Sequence, residues 1–285
     1  PDLEVGYADG VRRVTEMFAQ PLEGSEQRRI TKGGTWVVSG GARGVTAVAA
    51  LAMGKQFGLR LHLLGTSPLP QIEDSWRNLS EEDRQQLKTT ISRQAHEKGL
   101  SPRQAWKQVE KAIEIDRSLR AFREAGVRAT YHCCDVTDRS RLSAVLERVR
   151  ESDGPIEGII HGAGIAVDAR FENKKQENVL STLTTKVGGA AHLIALTSDD
   201  PLRFFVGFGS VAGRFGAKGQ SDYAAANETL NRLAGKLDRA WPGRVVSIMW
   251  GPWKGGMATE EIQERFRERG IQVIHIHVAR PVLPP

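Results

Sequence analysis

The chain has 285 residues, 40% of them apolar and 26% charged. That length holds one large domain or two small ones, and the composition excludes a collagen, a disulfide scaffold or a wholly disordered chain. Lys and Arg number 40 against 34 Asp and Glu, a formal charge of +6, which leaves an anionic partner and an inert surface equally open.

The first 30 residues are an N-terminal extension, with a hairpin predicted to turn at Asp9-Gly10 and a linker from Gln20 to Lys32. From residue 31 short β-rich runs alternate with helical patterns. Strands are predicted over Thr35 to Ser39, Arg60 to Leu64, Val127 to Cys133, Ile156 to His161, Arg203 to Phe208 and Arg244 to Trp250. Helices are predicted from Gly44 to Phe57 and near 138–152, 174–198 and 221–241. Strict alternation argues for an α/β fold, a doubly wound parallel Rossmann sheet with helices on both faces. Residues 31–285 then form one domain, interrupted by a helical insertion, 68–126, between its second and third strands. The insertion carries two helix starts, Ser80-Glu81-Glu82-Asp83 and Ser101-Pro102, with Gly99 and Gly126 at the C-caps. Interleaved charges on both helices read as a solvated hairpin, with a partner-docking element as the alternative.

No run of 18 apolar residues occurs, and Pro1-Asp2-Leu3-Glu4 is polar rather than signal-like. The adjacent Cys133 and Cys134 are too few for a closed zinc site. A reducing, cytoplasmic setting is expected, with no membrane, no metal and no nucleic acid as partner.

Strand Thr35 to Ser39 runs into Ser39-Gly40-Gly41-Ala42-Arg43-Gly44-Val45-Thr46 and then a helix. Glycines let such a turn approach a pyrophosphate, and the helix supplies free N–H groups at its positive end. Thr46 stands where many such loops place their last glycine. An NAD site usually has an acid after the next strand; here the strand ends Leu64-Gly65-Thr66-Ser67. With no acid there, and with Arg43 able to pair with a 2′-phosphate beside Thr66 and Ser67, NADPH is the expected cofactor.

Further on, Tyr223 and Asn227 lie four apart on one predicted helix face, Ser210 follows the fifth strand, and Lys186 sits on the preceding helix. A serine hydrolase fits poorly, because Phe208 and Ala212 occupy the glycine positions of a nucleophile elbow around Ser210.

These residues resemble the short-chain dehydrogenase/reductase superfamily, and within it the ketoreductase domains of polyketide synthases. The matching pieces are SGGARGVT (39–46), CDVTD (134–138), HGAGIAVD (161–168), KVGGAAHL (186–193), GSVAGRFGAKGQSDYAAAN (209–227) and WGPWKGGM (250–257). Tyr-x-x-x-Asn in place of Tyr-x-x-x-Lys, with the lysine on the earlier helix, is the feature specific to these ketoreductases. The insertion and the stretch from WGPWKGGM to ERGI look closest to iterative polyunsaturated-fatty-acid and enediyne-type synthases.

The resemblance implies reduction of a β-ketoacyl thioester carried on an acyl carrier protein. Ser210 and Tyr223 would bind the ketone oxygen, Tyr223 would donate the proton, and the Lys186 ammonium would lower the Tyr223 pKa from its usual ~10. Asn227 would orient Lys186 or a relay water. Asp135 and Val136 would meet the adenine, and His161, Gly162, Ala163 and Gly164 would line the cofactor cleft. On the substrate side stand Asp168, Phe215, Gln220, Trp253 and Met257. Where one stereochemical class has Leu-Asp-Asp, this chain has Ala166-Val167-Asp168; where the opposite class has a tryptophan eight residues before the tyrosine, it has Phe215. A D (3R) alcohol is therefore expected.

The segment from about 252 to 270 matches the family's lid, where Trp253 and Met257 either line the entrance or pack in the core. The family continues with one more strand and helix, which the Val278 to Pro285 tail does not resemble. With the short N-terminal piece as a remnant of a structural subdomain, the chain reads as a segment of a larger multienzyme with neighbouring domains. Two other functions remain open: a free-standing reductase of another ketone, and a silent NADPH-binding scaffold domain.

Overall fold

The computed structural model describes residues 5–14, 30–69, 72–77, 79–253, 264 and 272–274. Most of the linker expected at 20–32 and most of the lid expected at 252–270, including Met257, lie outside them, as does the whole tail from Val278 to Pro285.

Strands β1 (Val5–Ala8) and β2 (Val11–Val14) form the antiparallel hairpin expected from Asp9-Gly10. Both turn residues take positive φ, 53° and 74°, the requirement that selects Asp-Gly there. The next elements are β3 (Thr35–Ser39), α1 (Gly44–Phe57) and β4 (Arg60–Gly65). The insertion follows as α2 (Glu81–Glu97) and α3 (Pro102–Glu124). Then come β5 (Ala129–Cys133), α4 (Arg139–Asp153), β6 (Ile156–His161), α5 (Gln176–Leu183), α6 (Gly189–Leu196), β7 (Phe204–Ser210), α7 (Val211–Phe215), α8 (Ser221–Ala240) and β8 (Arg244–Trp250).

The main sheet has six strands in the order β5-β4-β3-β6-β7-β8, every pair parallel. This is the doubly wound Rossmann order, and its direction reverses between β3 and β6, where ligands bind at the carboxyl ends. Alternation along each strand divides the core. Val37, Leu64, Ile159 and Phe205 join α4, α6 and α8 on one face. Trp36, Val38, Leu61 and Leu63 join α1 and Phe122 of α3 on the other. The insertion helix therefore contributes to the core rather than standing off as a wholly solvated hairpin. Its caps are as expected: Ser80 accepts from the Asp83 N–H in a capping box, and Ser101 precedes Pro102 at the first turn.

Two departures from the expected elements matter. Strand β5 begins at Ala129, because Gly126 at φ 67° ends the α3 cap and Val127 N–H is spent on the Phe122 carbonyl. The helix expected over 174–198 is continuous in length but changes to a π turn at Thr184–Gly188. By length and composition the run Gln176–Leu196 is apolar enough to cross a membrane. Here it packs on the sheet through Ala190 and Leu193.

Candidate active site

At the dinucleotide end the chain turns sharply after β3. Gly40 takes φ 69°, and a Cβ there would stand 3.0 Å from the Ala163 nitrogen; one on Gly41 would stand 2.7 Å from Val38 Cγ1. Only glycines let this turn close against the loop after β6. Thr46 is buried, and a Cβ on Gly162 would lie 2.2 Å from its Oγ1. The room that a last loop glycine would give on α1 is thus given instead by Gly162, across the switch point.

The first turn of α1, which includes Val45, has no acidic residue, and Arg43 at its N-cap offers no side-chain cap. The Gly44 N–H instead donates to Glu114 Oε1 of α3 at 3.0 Å. A carboxylate from the insertion occupies the anion position at this positive helix end. The donor set thus fits a dinucleotide phosphate. Arg43, half exposed, lies 3.5 Å from Glu114 Oε2. Thr66 and Ser67 follow β4: Lys111 Nζ donates to Thr66 Oγ1 at 3.3 Å, and the Tyr131 hydroxyl donates to the Ser67 carbonyl at 2.6 Å. Burial raises the Tyr131 pKa to about 12, so it stays a donor. Asp135 Oδ1 accepts from the Thr137 N–H and hydroxyl, both at 2.9 Å, which sets the turn after β5. Val136 is buried and would collide with a side chain at Gly189.

Beneath the cleft runs a hydrogen-bond chain centred on the fully buried Ser39 and His161. Burial pushes His161 down to about 3, with the Lys186 charge adding to the effect, so the ring is neutral. Its Nε2 lies 2.9 Å from the Lys186 carbonyl, an acceptor, which fixes the proton on Nε2. Its Nδ1 then accepts from the Ser39 hydroxyl at 2.7 Å, while Ser39 Oγ accepts from the Ala163 N–H at 3.3 Å. Ser39 and His161 therefore join the ends of β3 and β6 to the turn that carries Lys186, one layer below the cleft surface.

Lys186 sits in the π turn, whose extra residue per turn re-aims a side chain, a device frequent at functional sites. Its side chain is buried, and Nζ donates to the Phe208 carbonyl at 3.0 Å. Gly164 allows the loop to approach, since a Cβ there would lie 3.0 Å from Lys186 Cε and Nζ. Desolvation lowers Lys186 to about 8.

Ser210 ends β7 and caps α7; its Oγ accepts from the Ala212 N–H at 3.1 Å, leaving its own proton to donate. Tyr223 opens α8, and Asn227 one turn later is fully buried, with Nδ2 donating to the Tyr223 carbonyl at 2.8 Å. Asn227 Oδ1 is buried with no hydrogen-bond partner, an orphan acceptor of the kind a relay water would satisfy. The Tyr223 pKa is raised by burial, partly offset by the hydrogen-bonding side chains of Ser210 and Asn227, with the Asp168 charge adding to the rise. This corrects the expectation that Lys186 would lower it: the ammonium is directed at the Phe208 carbonyl, and burial prevails. The Tyr223 hydroxyl is thus neutral.

On the substrate side Gln220 Nε2 donates to both oxygens of Asp168 at 3.0 Å, and the Ala169 N–H donates to the Gly219 carbonyl at 3.0 Å. The loop after β6 is stitched in this way to the entry of α8. A pair that sequence reasoning missed completes the stitch: Lys174 Nζ lies 2.6 Å from Asp222 Oδ1, both side chains nearly inaccessible. Phe215 is exposed, together with Ile165, Val167 and Phe171. Trp253, by contrast, is buried and packs edge-on against Trp250 at 5.0 Å; of the two roles open to it, the structure shows packing.

A parallel sheet with a glycine-lined phosphate turn at its switch point, and a serine and a neutral tyrosine beside a buried lysine, defines the nicotinamide-dependent oxidoreductase class. The family model described as the KR domain matches residues 34–255, and the chain belongs to that family. A polyunsaturated fatty acid synthase protein of Thraustochytrium sp. (strain ATCC 26185 / S-3) is 33% identical over 282 residues, 95% of this chain and 10% of that protein. Polyketide synthase PksL of Bacillus subtilis (strain 168) is 34% identical over 173 residues, 58% of this chain and 4% of that one. The chain thus spans a tenth or less of the length of these relatives. The solved ketoreductase from the first module of phoslactomycin biosynthesis in Streptomyces sp. HK803 matches with a TM-score of 0.71 at 27% identity, over 97% of this chain and 54% of that one.

Proposed function

We propose that this chain is the NADPH-dependent ketoreductase domain of a polyketide or polyunsaturated fatty acid synthase, working in the cytoplasm. In this reading it reduces a β-ketoacyl thioester on an acyl carrier protein to the D (3R) β-hydroxyacyl thioester. The observation that carries the reading is the convergence of Ser210, neutral Tyr223, Asn227 and buried Lys186 at the carboxyl end of the sheet. The phosphate turn, Arg43 and the hydroxyls of Thr66 and Ser67 would hold NADPH, which supplies a hydride when bound.

The remaining work belongs to the chain. The Ser210 and Tyr223 hydroxyls donate to the ketone oxygen and polarise the carbonyl. As the carbonyl carbon gains its hydride, the Tyr223 Oη proton moves to that oxygen and completes the alcohol. Lys186, with a pKa near 8, is protonated at neutral pH and, with a water on Asn227 Oδ1, can return a proton to the tyrosinate. Asp168 and Gln220 brace the substrate loop, and exposed Ile165, Val167, Phe171 and Phe215 suit an acyl or pantetheine arm. The +6 charge suits an acidic carrier protein. NADPH oxidation with a β-ketoacyl thioester, followed by chiral chromatography, tests the reading. The D alcohol is expected. A dominant L alcohol overturns the stereochemistry, and NADPH binding without turnover on a carrier-bound substrate favours a silent scaffold domain.

A further inference from the structure

The second strand of the fold, β4, runs into Thr66-Ser67, and neither its carboxyl end nor those two residues carry a cation. Across that end lies α3 of the insertion, held against its partner helix by the ion pair between Arg84 and Glu110 and braced by Arg120 on Asp116 at 2.9 Å. Lys111 and Glu114, one turn apart on α3, both face the dinucleotide turn. Lys111 Nζ reaches Thr66 Oγ1 at 3.3 Å, and Glu114 reaches the Gly44 N–H at 3.0 Å and Arg43 at 3.5 Å. The positive charges of Arg43 and Lys107 act on Lys111, which is itself half-buried. Two cations, Arg43 and Lys111, and one carboxylate, Glu114, therefore meet at the end of β4, with Lys107 one turn back along α3 adding to the positive field. That positive field suits a dianionic phosphate monoester. An adenosine ribose beside Thr66 would place its 2′-phosphate among them.

We propose that the insertion is part of the cofactor site, and that Lys111 is the residue by which this chain selects NADPH over NADH, through the 2′-phosphate. The proposal rests on the NADPH reading above. It gives the insertion a role at the cofactor, in place of the solvated hairpin or docking element that its sequence leaves open.

The test is equilibrium binding, without turnover, of NADPH, NADH and adenosine 2′,5′-bisphosphate to the full chain and to Lys111→Met and Lys111→Arg. Loss of one charge-assisted bond to phosphate corresponds to roughly tenfold to a hundredfold in affinity. Lys111→Met should weaken NADPH and the bisphosphate by that factor, leave NADH within about twofold, and Lys111→Arg should restore most of the loss. Unchanged NADPH affinity in Lys111→Met overturns the proposal. So does an equal loss for NADPH and NADH, which would mark Lys111 as a structural prop of Thr66. If the intact chain prefers NADPH and Lys111→Met keeps that preference, only this inference fails. If the intact chain itself prefers NADH, the NADPH reading fails and this proposal with it.

Discussion

The two ends of the cleft control charge by opposite means. At the adenosine end, Arg43 and Glu114 keep 46% and 26% of their side-chain surface exposed, and what acts between them is Coulombic attraction in a solvated setting. At the catalytic end, Lys186, His161 and Asn227 are buried, and desolvation dominates: it lowers Lys186 to about 8, holds His161 neutral and raises Tyr223. The first arrangement suits recognition of a fixed anion, since charges can accumulate cheaply in water. The second suits a proton relay, since desolvation brings Lys186 toward neutral pH while Tyr223 stays a neutral hydroxyl.

The largest effect that would probe this contrast is Tyr223→Phe. It removes the proton donor while sparing the phosphate end, so turnover should fall by roughly 10²–10⁴-fold with NADPH affinity unchanged. A matching loss of NADPH affinity would mean that the two ends are not independent. Next is the seam between the ends. Gly162→Ala drives a Cβ to within 2.2 Å of Thr46 Oγ1 and should cost about 1–3 kcal/mol by overpacking. Thr46→Gly in the same chain should recover part of that loss in a denaturant titration; strict additivity would deny the coupling.

Smaller effects follow from titration. The folded pKa of His161 is lowered from 6.5 to about 3. Between those values the unfolded chain binds the extra proton, so stability should fall as pH drops through that window. His161→Asn should lessen the fall of the urea midpoint between pH 7 and pH 5 without abolishing it, because burial also holds His132 down to about 4 and lowers His62. Lys186 is lowered from 10.5 to about 8. The unfolded state again binds more protons between those values, so its penalty is full below pH 8 and is relieved as pH rises to 10.5. Turnover runs the other way, falling above pH 8 as the ammonium is lost, and a flat profile to pH 10 would remove Lys186 from the proton path. The smallest effect is ionic. Raising salt should weaken NADPH binding more than NADH binding, because screening reaches the exposed phosphate end and not the buried lysine.

Much of the frame was legible because it is local. The strands Thr35–Ser39, Ile156–His161 and Arg244–Trp250 and the helix Gly44–Phe57 stand as read from periodicity and flanking glycines. The Asp9-Gly10 turn and the serine caps of the insertion follow from single-residue chemistry. Ser210, Tyr223, Asn227 and Lys186 were legible as a set only through the family's motif spacing. What was not legible depends on contacts distant in sequence. The π turn under Lys186 leaves no mark in a helical pattern. Nor does spacing reveal that Glu114 caps a helix 70 positions away, or that Lys174 meets Asp222. The sign of the Tyr223 shift was misread for the same reason, since burial cannot be counted from a motif.

The central claim is that the Tyr223 hydroxyl is the proton donor of a ketone reduction. Its most direct test is mass spectrometry of a carrier-tethered β-ketoacyl chain incubated with NADPH and either the intact protein or Tyr223→Phe. The tethered chain should gain two hydrogens with the intact protein and none on the same timescale with the variant. Equal conversion by both, or none by an intact protein that binds NADPH, would contradict the account.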